Sequence, residues 1–185
     1  MTTAIPNLFE KEISSQQIFA GNFIKVMRDE VELPNGAHSS REYIKHGGAV
    51  AVFALDENQN LVMERQYRHP VRQVAIEVPA GKIDPNEELL TCGKRELLEE
   101  TGYIAHQWTY LGEILPCIGY STEKIYFFLA EKLEYREQSL DEGEFLEVYL
   151  QPLQEVIQEA YTGKITDGKT LAGLMLLQGY LQQHS

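Results

Sequence analysis

Three glutamates, Glu96, Glu99 and Glu100, crowd the end of one helical pattern, with Arg95 beside them. At roughly 100° per residue they project from a single arc of a helix. Like charges one turn apart repel, each close pair by ~0.2–0.5 kcal/mol, and the carboxyl end of a helix dipole disfavours anions. Arg95 offers one positive charge against the three carboxylates. A bound divalent cation would remove the conflict, since hard ions such as Mg²⁺ prefer oxygen ligands. A solvated acidic face is the competing reading, and charge alone separates the two only slightly.

The elements that must hold these residues are legible in outline. Asp84-Pro85 marks the approach to the helix, Glu87 and Glu88 suit its first turn, and Gly102 suits its carboxyl cap. Leu90, Leu97 and Leu98 fall on another arc and are expected to face the core. Residues 22–33 read as a strand, Pro34-Asn35-Gly36 as a turn and residues 39–45 as a returning strand, which predicts a β-hairpin subdomain. Further strands are expected over residues 48–55, 61–67, 74–78, 108–115, 125–130 and 145–150, and closing helices over 152–161 and 169–181. Strands and helices alternate irregularly, so the class is α+β rather than doubly wound.

The chain has 185 residues and a formal net charge of −12. Such a surface repels nucleic-acid phosphates and anionic membranes, so neither is an expected partner. A phosphate-bearing small molecule is still compatible, if cations and arginines reverse the field locally. No apolar run reaches membrane-spanning length, and the first residues lack the basic and apolar blocks of a signal peptide. Cys92 and Cys117 form neither a metal motif nor a disulfide framework, and the five histidines show no ligand spacing. A cytoplasmic protein is the expectation.

Written out, Gly81-x5-Glu87-x7-Arg95-Glu96-Leu97-x-Glu99-Glu100-x-Gly102-Tyr103 resembles the Nudix box at every polar and glycine position, with Tyr103 where an aliphatic residue is usual. The resemblance implies an α/β/α sandwich with a mixed sheet. It divides the chain into an N-terminal β subdomain, residues 1–46, for dimerisation and substrate contact, and a Nudix domain, residues 47–185. It also implies hydrolysis of a nucleoside diphosphate linked to another group, by water attack at phosphorus. On the same ground Glu96, Glu99, Glu100 and the backbone carbonyl of Ala80 would hold Mg²⁺, or Mn²⁺ in its place. Arg95 would orient a glutamate and pair with Glu87.

Sequences flanking the box resemble bacterial ADP-ribose pyrophosphatases. These are Arg65-Gln66-Tyr67-Arg68, Ile76-Glu77-Val78-Pro79-Ala80-Gly81, Arg41-Glu42 before Gly47-Gly48, and residues 163–170. By that resemblance Arg68, Arg41 and Arg65 would contact substrate, and Glu123 would approach it or the metals. An acidic loop, Asp141-Glu142-Gly143-Glu144, would supply the water-activating base, from Glu142 in preference to Glu144. The substrate implied is a nucleoside diphosphate sugar, ADP-ribose first, and the assembly a homodimer. Ile118 departs from the pattern, standing where a proline is expected, so GDP-mannose, ADP-glucose or a dinucleotide remain open. A non-catalytic ligand sensor is the alternative of another class, and Phe23 is a candidate for stacking on a base.

Overall fold

Short β-rich segments dominate the chain because valine, isoleucine and phenylalanine are concentrated between polar turns. The computed structural model describes residues 7–140 and 142–184, so Asp141 of the acidic loop lies outside the described residues. The chain divides into two units. The first comprises residues up to His46 together with Cys117–Glu123, and the second comprises Gly47–Pro116 and Lys124–Ser185.

In the first unit, β1 (Lys11–Ala20), β2 (Lys25–Glu32) and β3 (His38–Lys45) form an antiparallel sheet in the order β1-β2-β3. The expected hairpin is β2–β3, closed through Gly36 in the left-handed region (φ 81°) and an Asn35 side chain that accepts the Ala37 N–H at 3.0 Å. The third strand corrects the hairpin expectation. Every residue of β1 is exposed, so no alternation of apolar and polar residues marks it in the sequence. Residues 117–123 join this unit through backbone bonds between Ile44 and the Tyr120–Thr122 segment.

In the second unit, β4 (Ala49–Ala54) runs parallel to β9 (Ile125–Tyr135). β8 (Tyr103–Ile114) and β7 (Ala80–Lys82) pair antiparallel on either side, giving the mixed order β7-β4-β9-β8. A second sheet, β10-β5-β6, is antiparallel and contains β5 (Asn60–Arg68), β6 (Gln73–Glu77) and β10 (Leu146–Pro152). Three helices follow the expected placement: α1 (Leu89–Thr101), α2 (Leu153–Tyr161) and α3 (Gly168–His184).

The two faces of β4 build two cores, which makes this unit an α/β/α sandwich. Val50 and Val52 pack with Cys92 and Leu97 of α1, while Ala51 and Phe53 pack with Val156 of α2 and Leu174 and Leu177 of α3. Gly173 lets α3 approach closely, because a Cβ there would enter the Phe53 ring. Two local expectations change. Leu90 is exposed rather than core, the inward arc of α1 passing instead through Cys92, Gly93 and Leu97. Glu87 and Glu88 precede the helix, whose first residue is Leu89. Gly102 ends it in the left-handed conformation (φ 74°), its N–H bonded to the Leu98 carbonyl.

Candidate active site

The acidic end of α1 lies against β7 of the second unit, and α1 shares a core cluster with Val62 of β5. Glu100 is buried at 5% exposure, and one of its carboxylate oxygens accepts the backbone N–H of Ala80 at 2.9 Å. Gly81 follows, and a Cβ there would overlap the Glu96 carboxylate, so any larger residue must displace that side chain. The β7 backbone is therefore fitted to the carboxylates of the helix end.

Arg95 organises the outer part of the cluster. Its guanidinium donates to Glu87 at 2.8 and 2.9 Å, to Glu96 at 2.8 Å and to Glu99 at 3.1 Å, and reaches the Lys82 carbonyl at 3.1 Å. This fork holds the Glu87 carboxyl down at about 2, well below the usual carboxylate range. Burial has the opposite effect on Glu96, raising it although Arg95 offsets part of the shift. The neighbouring Cys92 thiol is pushed up to about 12 by burial and by the charges of Glu87 and Glu96, so it stays protonated and serves packing.

A second acidic layer comes from the β10-β5-β6 sheet. On β5, Leu61 and Met63 face the α2–α3 core, while Val62 packs with Cys92 and Leu97 of α1. Alternation then puts Glu64 on the α1 side. Glu64 is 3% exposed, and among the described residues its Oε1 finds no hydrogen-bond partner. Burial, then the charge of Glu77, drives its carboxyl well up, and burial, then the charge of Glu64, does the same to Glu100. Glu77 stands opposite Glu64 in the strand register but is fully paired: Arg68 donates to it twice at 2.7 Å and Lys169 bonds it from α3. These cations more than offset burial and hold Glu77 below its ordinary range. Asp167 accepts from Thr170 and sits 3.1 Å from Lys169, fixing the start of α3.

The other sequence candidates divide. Glu144 accepts a bond from Gln66 at 3.1 Å, and its charge acts on Glu64, Glu96 and Glu100, which places it in this neighbourhood. Glu142 is exposed. Arg65 faces away from Glu64, paired with Glu147 at 3.0 Å and lying 4.1 Å above the Tyr149 ring. Arg41 belongs to the first unit, exposed and bound to Glu10 at 2.5 and 2.9 Å. Glu123 belongs there too, 3.9 Å from His46, whose ring meets Phe23 edge-on. Glu64, Glu77 and Lys169 were not singled out from the sequence. The one signal for Glu64 is an acid that continues the apolar run Leu61-Val62-Met63.

Whether a divalent cation suits this place can be judged from the donors. Glu96 and Glu99 are turned onto Arg95, and among the described residues no three acidic, cysteine or histidine side chains gather tightly enough to hold a metal ion as they stand. The chemistry nevertheless fits. All the donors are hard oxygens, Glu64 has an unpartnered buried oxygen, and Gly81 leaves the close cradle next to Glu96. A cation would also offset the repulsion that raises Glu64 and Glu100.

Comparison with known proteins gives the family. The NUDIX domain family model matches residues 45–174, and the model of the nucleoside diphosphate sugar hydrolase N-terminal domain matches residues 10–44. The chain is 39% identical to the ADP-ribose pyrophosphatase of Bacillus subtilis (strain 168), over 93% of this chain and 94% of that protein. It is 39% identical to the methanol dehydrogenase activator of Bacillus methanolicus, over 91% and 92% of the two. A crystal structure of an ADP compounds hydrolase shares the fold, with a TM-score of 0.86, 20% identity and coverage of 98% of this chain and 99% of that one. With a family model over most of the chain and a box whose acids, arginine and glycine interlock, this chain belongs to the NUDIX domain family and is a Nudix pyrophosphohydrolase.

Proposed function

We propose that the chain hydrolyses the pyrophosphate of a nucleoside diphosphate sugar, with ADP-ribose the leading substrate and AMP and ribose 5-phosphate the products. The observation that carries this reading is the interlocked cluster at Gly81, Arg95, Glu96 and Glu100. The substrate choice draws on the likeness to the Bacillus subtilis ADP-ribose pyrophosphatase and on the N-terminal match. GDP-mannose, ADP-glucose and a dinucleotide are the competing substrates, since Ile118 departs from the pattern of ADP-ribose enzymes.

Nudix hydrolases use divalent metal ions, and Mg²⁺ is the ion we assign, with Mn²⁺ as its substitute. Glu96, Glu99, Glu100 and the Ala80 carbonyl would hold it. When bound, the ion spreads the charge of the pyrophosphate and lowers the pKa of the attacking water. The chain's own residues do the rest. Arg95 keeps Glu96 and Glu99 in place from one side, and Glu87 anchors Arg95. Water attacks phosphorus, the bridging P–O bond breaks, and the proton passes to a loop glutamate. Glu144 is the better placed for that role, because it is tied to Gln66 and its charge reaches the cluster; the sequence alone favoured Glu142. Arg68 is well suited to bind phosphate oxygens. Arg41, Arg65 and Glu123 are assigned to substrate contact by resemblance alone.

The proposed assembly is a homodimer formed through the first unit, in which Ile13, Ile18, Phe19 and Phe23 are exposed, and the proposed setting is the cytoplasm. Nucleic acid and membrane are not proposed partners of so acidic a chain, and among the described residues no helix is long and apolar enough to cross a membrane.

The direct test is incubation with Mg²⁺ and a panel of nucleotide sugars, with products separated by chromatography. AMP released from ADP-ribose faster than any product from the other sugars is the expected result. Faster release of mannose 1-phosphate from GDP-mannose would reassign the sugar, and no turnover of any pyrophosphate would leave the silent-sensor reading in its place.

A further inference from the structure

Glu64 and Glu77 face each other on neighbouring strands, where directly opposed Cβ atoms lie about 4.5–5.5 Å apart. Both are almost completely buried, at 3% and 2% exposure. Their surroundings are opposite. Glu77 accepts two bonds from Arg68 and one from Lys169, whereas among the described residues Glu64 Oε1 has no donor at all. Burying a carboxylate without partners is strongly unfavourable. A purely structural glutamate at this position would be expected to meet an N–H, an arginine or a lysine, as Glu77 does.

The charges of Lys169 and Arg68 reach Glu64, but both cations are bonded to Glu77, and the other neighbours of Glu64 are negative. Val62, two residues earlier on the same face of β5, packs with Leu97 of α1, and Glu100 lies one turn beyond Leu97. The Glu64 charge is the largest single charge acting on Glu100, and Glu144 acts on both. Gln66, the next residue on this face, holds Glu144. The unpartnered oxygen is thus aimed among the carboxylates that the proposed function assigns to the cation and to the water.

The structure assigns Glu64 as a further carboxylate ligand of the divalent cation site, contributed by strand β5 rather than by the box, and acting with Glu100. This inference rests on the proposed divalent-cation chemistry. It adds to that chemistry a donor outside the box, 16 positions before Ala80. A bound cation gives Glu64 Oε1 the partner it lacks, and removes the reason for Glu64 and Glu100 to repel.

The test needs no turnover. Mn²⁺ is titrated into the full-length protein without nucleotide, and free Mn²⁺ is read by its electron paramagnetic resonance signal. Glu64→Gln keeps the shape of the side chain and removes the charge, and Glu64→Val keeps a β-former on the strand as a second variant. Both should weaken Mn²⁺ binding at least about tenfold, the lower end of what even an outer-shell partner contributes. In the absence of metal Glu64→Val should melt above the unsubstituted protein, and the rise in melting temperature on adding Mn²⁺ should shrink. Variants that bind Mn²⁺ as tightly as the original would overturn the assignment, including when their activity falls. Failure of the original protein to bind Mn²⁺ would overturn it as well. Weakened binding in both variants, beside a substrate panel that shows no nucleotide-sugar turnover, would uphold Glu64 and reject the proposed substrate class.

Discussion

The box region holds two sets of carboxylates under opposite conditions. On one side Glu87, Glu96 and Glu99 share the fork of Arg95, with every contact between 2.8 and 3.1 Å. On the other side Glu64 and Glu100 are buried; Ala80 donates its N–H to Glu100, and among the described residues Glu64 Oε1 has no donor. The first set is satisfied by the protein and gives the segment its shape. The second stores unfavourable electrostatics that Lys169, Arg68 and the Ala80 N–H relieve only in part. Local rules are broken where function requires it, and here the breach is confined to the inner pair. The Arg95 side is the brace, and the inner side is where chemistry is expected.

That division predicts which substitutions stop turnover and which only loosen the frame. Glu100→Gln keeps an oxygen to accept the Ala80 N–H but removes the charge, so folding should survive. We expect kcat to fall by more than about 100-fold, beyond the range for residues that only support a metal ligand. Steady-state kinetics with circular dichroism decides it, and near-normal kcat would dissolve the distinction between the two sides. Next in size is Gly81→Ala. The new methyl would push the Glu96 carboxylate off Arg95. A displacement of that order can cost roughly 10²-fold in rate, so a loss of about 10- to 100-fold in kcat is expected. Full activity would mean that the close packing of β7 on α1 is dispensable.

How much of this could be read from residues alone follows the same line. The box is a contiguous pattern, so Glu96, Glu99, Glu100 and Arg95 could be placed on one helix arc from spacing. Nearly all strands of the second unit were legible too, because β4 and β9 are apolar runs bounded by polar turns, while the sandwich arrangement followed from the resemblance to the Nudix box. Two kinds of feature were not. β1 has no inward face, so periodicity carries no signal for it. The Glu77–Lys169 pair joins residues 92 positions apart, and neither stands out from an ordinary surface charge in the sequence. Glu64 was hidden differently: an acid at the end of an apolar run reads as the strand reaching water, and only the packing of Val62 on α1 shows that it does not. Leu90 is the converse case. It matched the helical period, but α1 starts only one residue earlier and its inward arc passes through Cys92, Gly93 and Leu97, so the leucine is left in solvent.

The smallest expected effect concerns the brace and appears in stability rather than rate. Arg95→Met leaves Glu87, Glu96 and Glu99 without their shared partner. Removing one member of a fully buried ion pair costs ~3–5 kcal/mol, but the Arg95 side chain is 28% exposed and solvent screens part of the interaction. A loss of about 1–2 kcal/mol by urea unfolding at pH 7 is therefore expected. The pH dependence carries the sharper signature. Because Arg95 holds the folded-state Glu87 carboxyl at about 2, its contribution is complete above the ordinary glutamate range and is lost as pH falls from there toward about 2. The stability gap between Arg95→Met and the original protein should accordingly narrow between pH 6 and pH 3. A gap that stays constant or widens on acidification would mean that Arg95 stabilises through packing of its aliphatic stem, and that the outer carboxylates are no better satisfied than the inner ones.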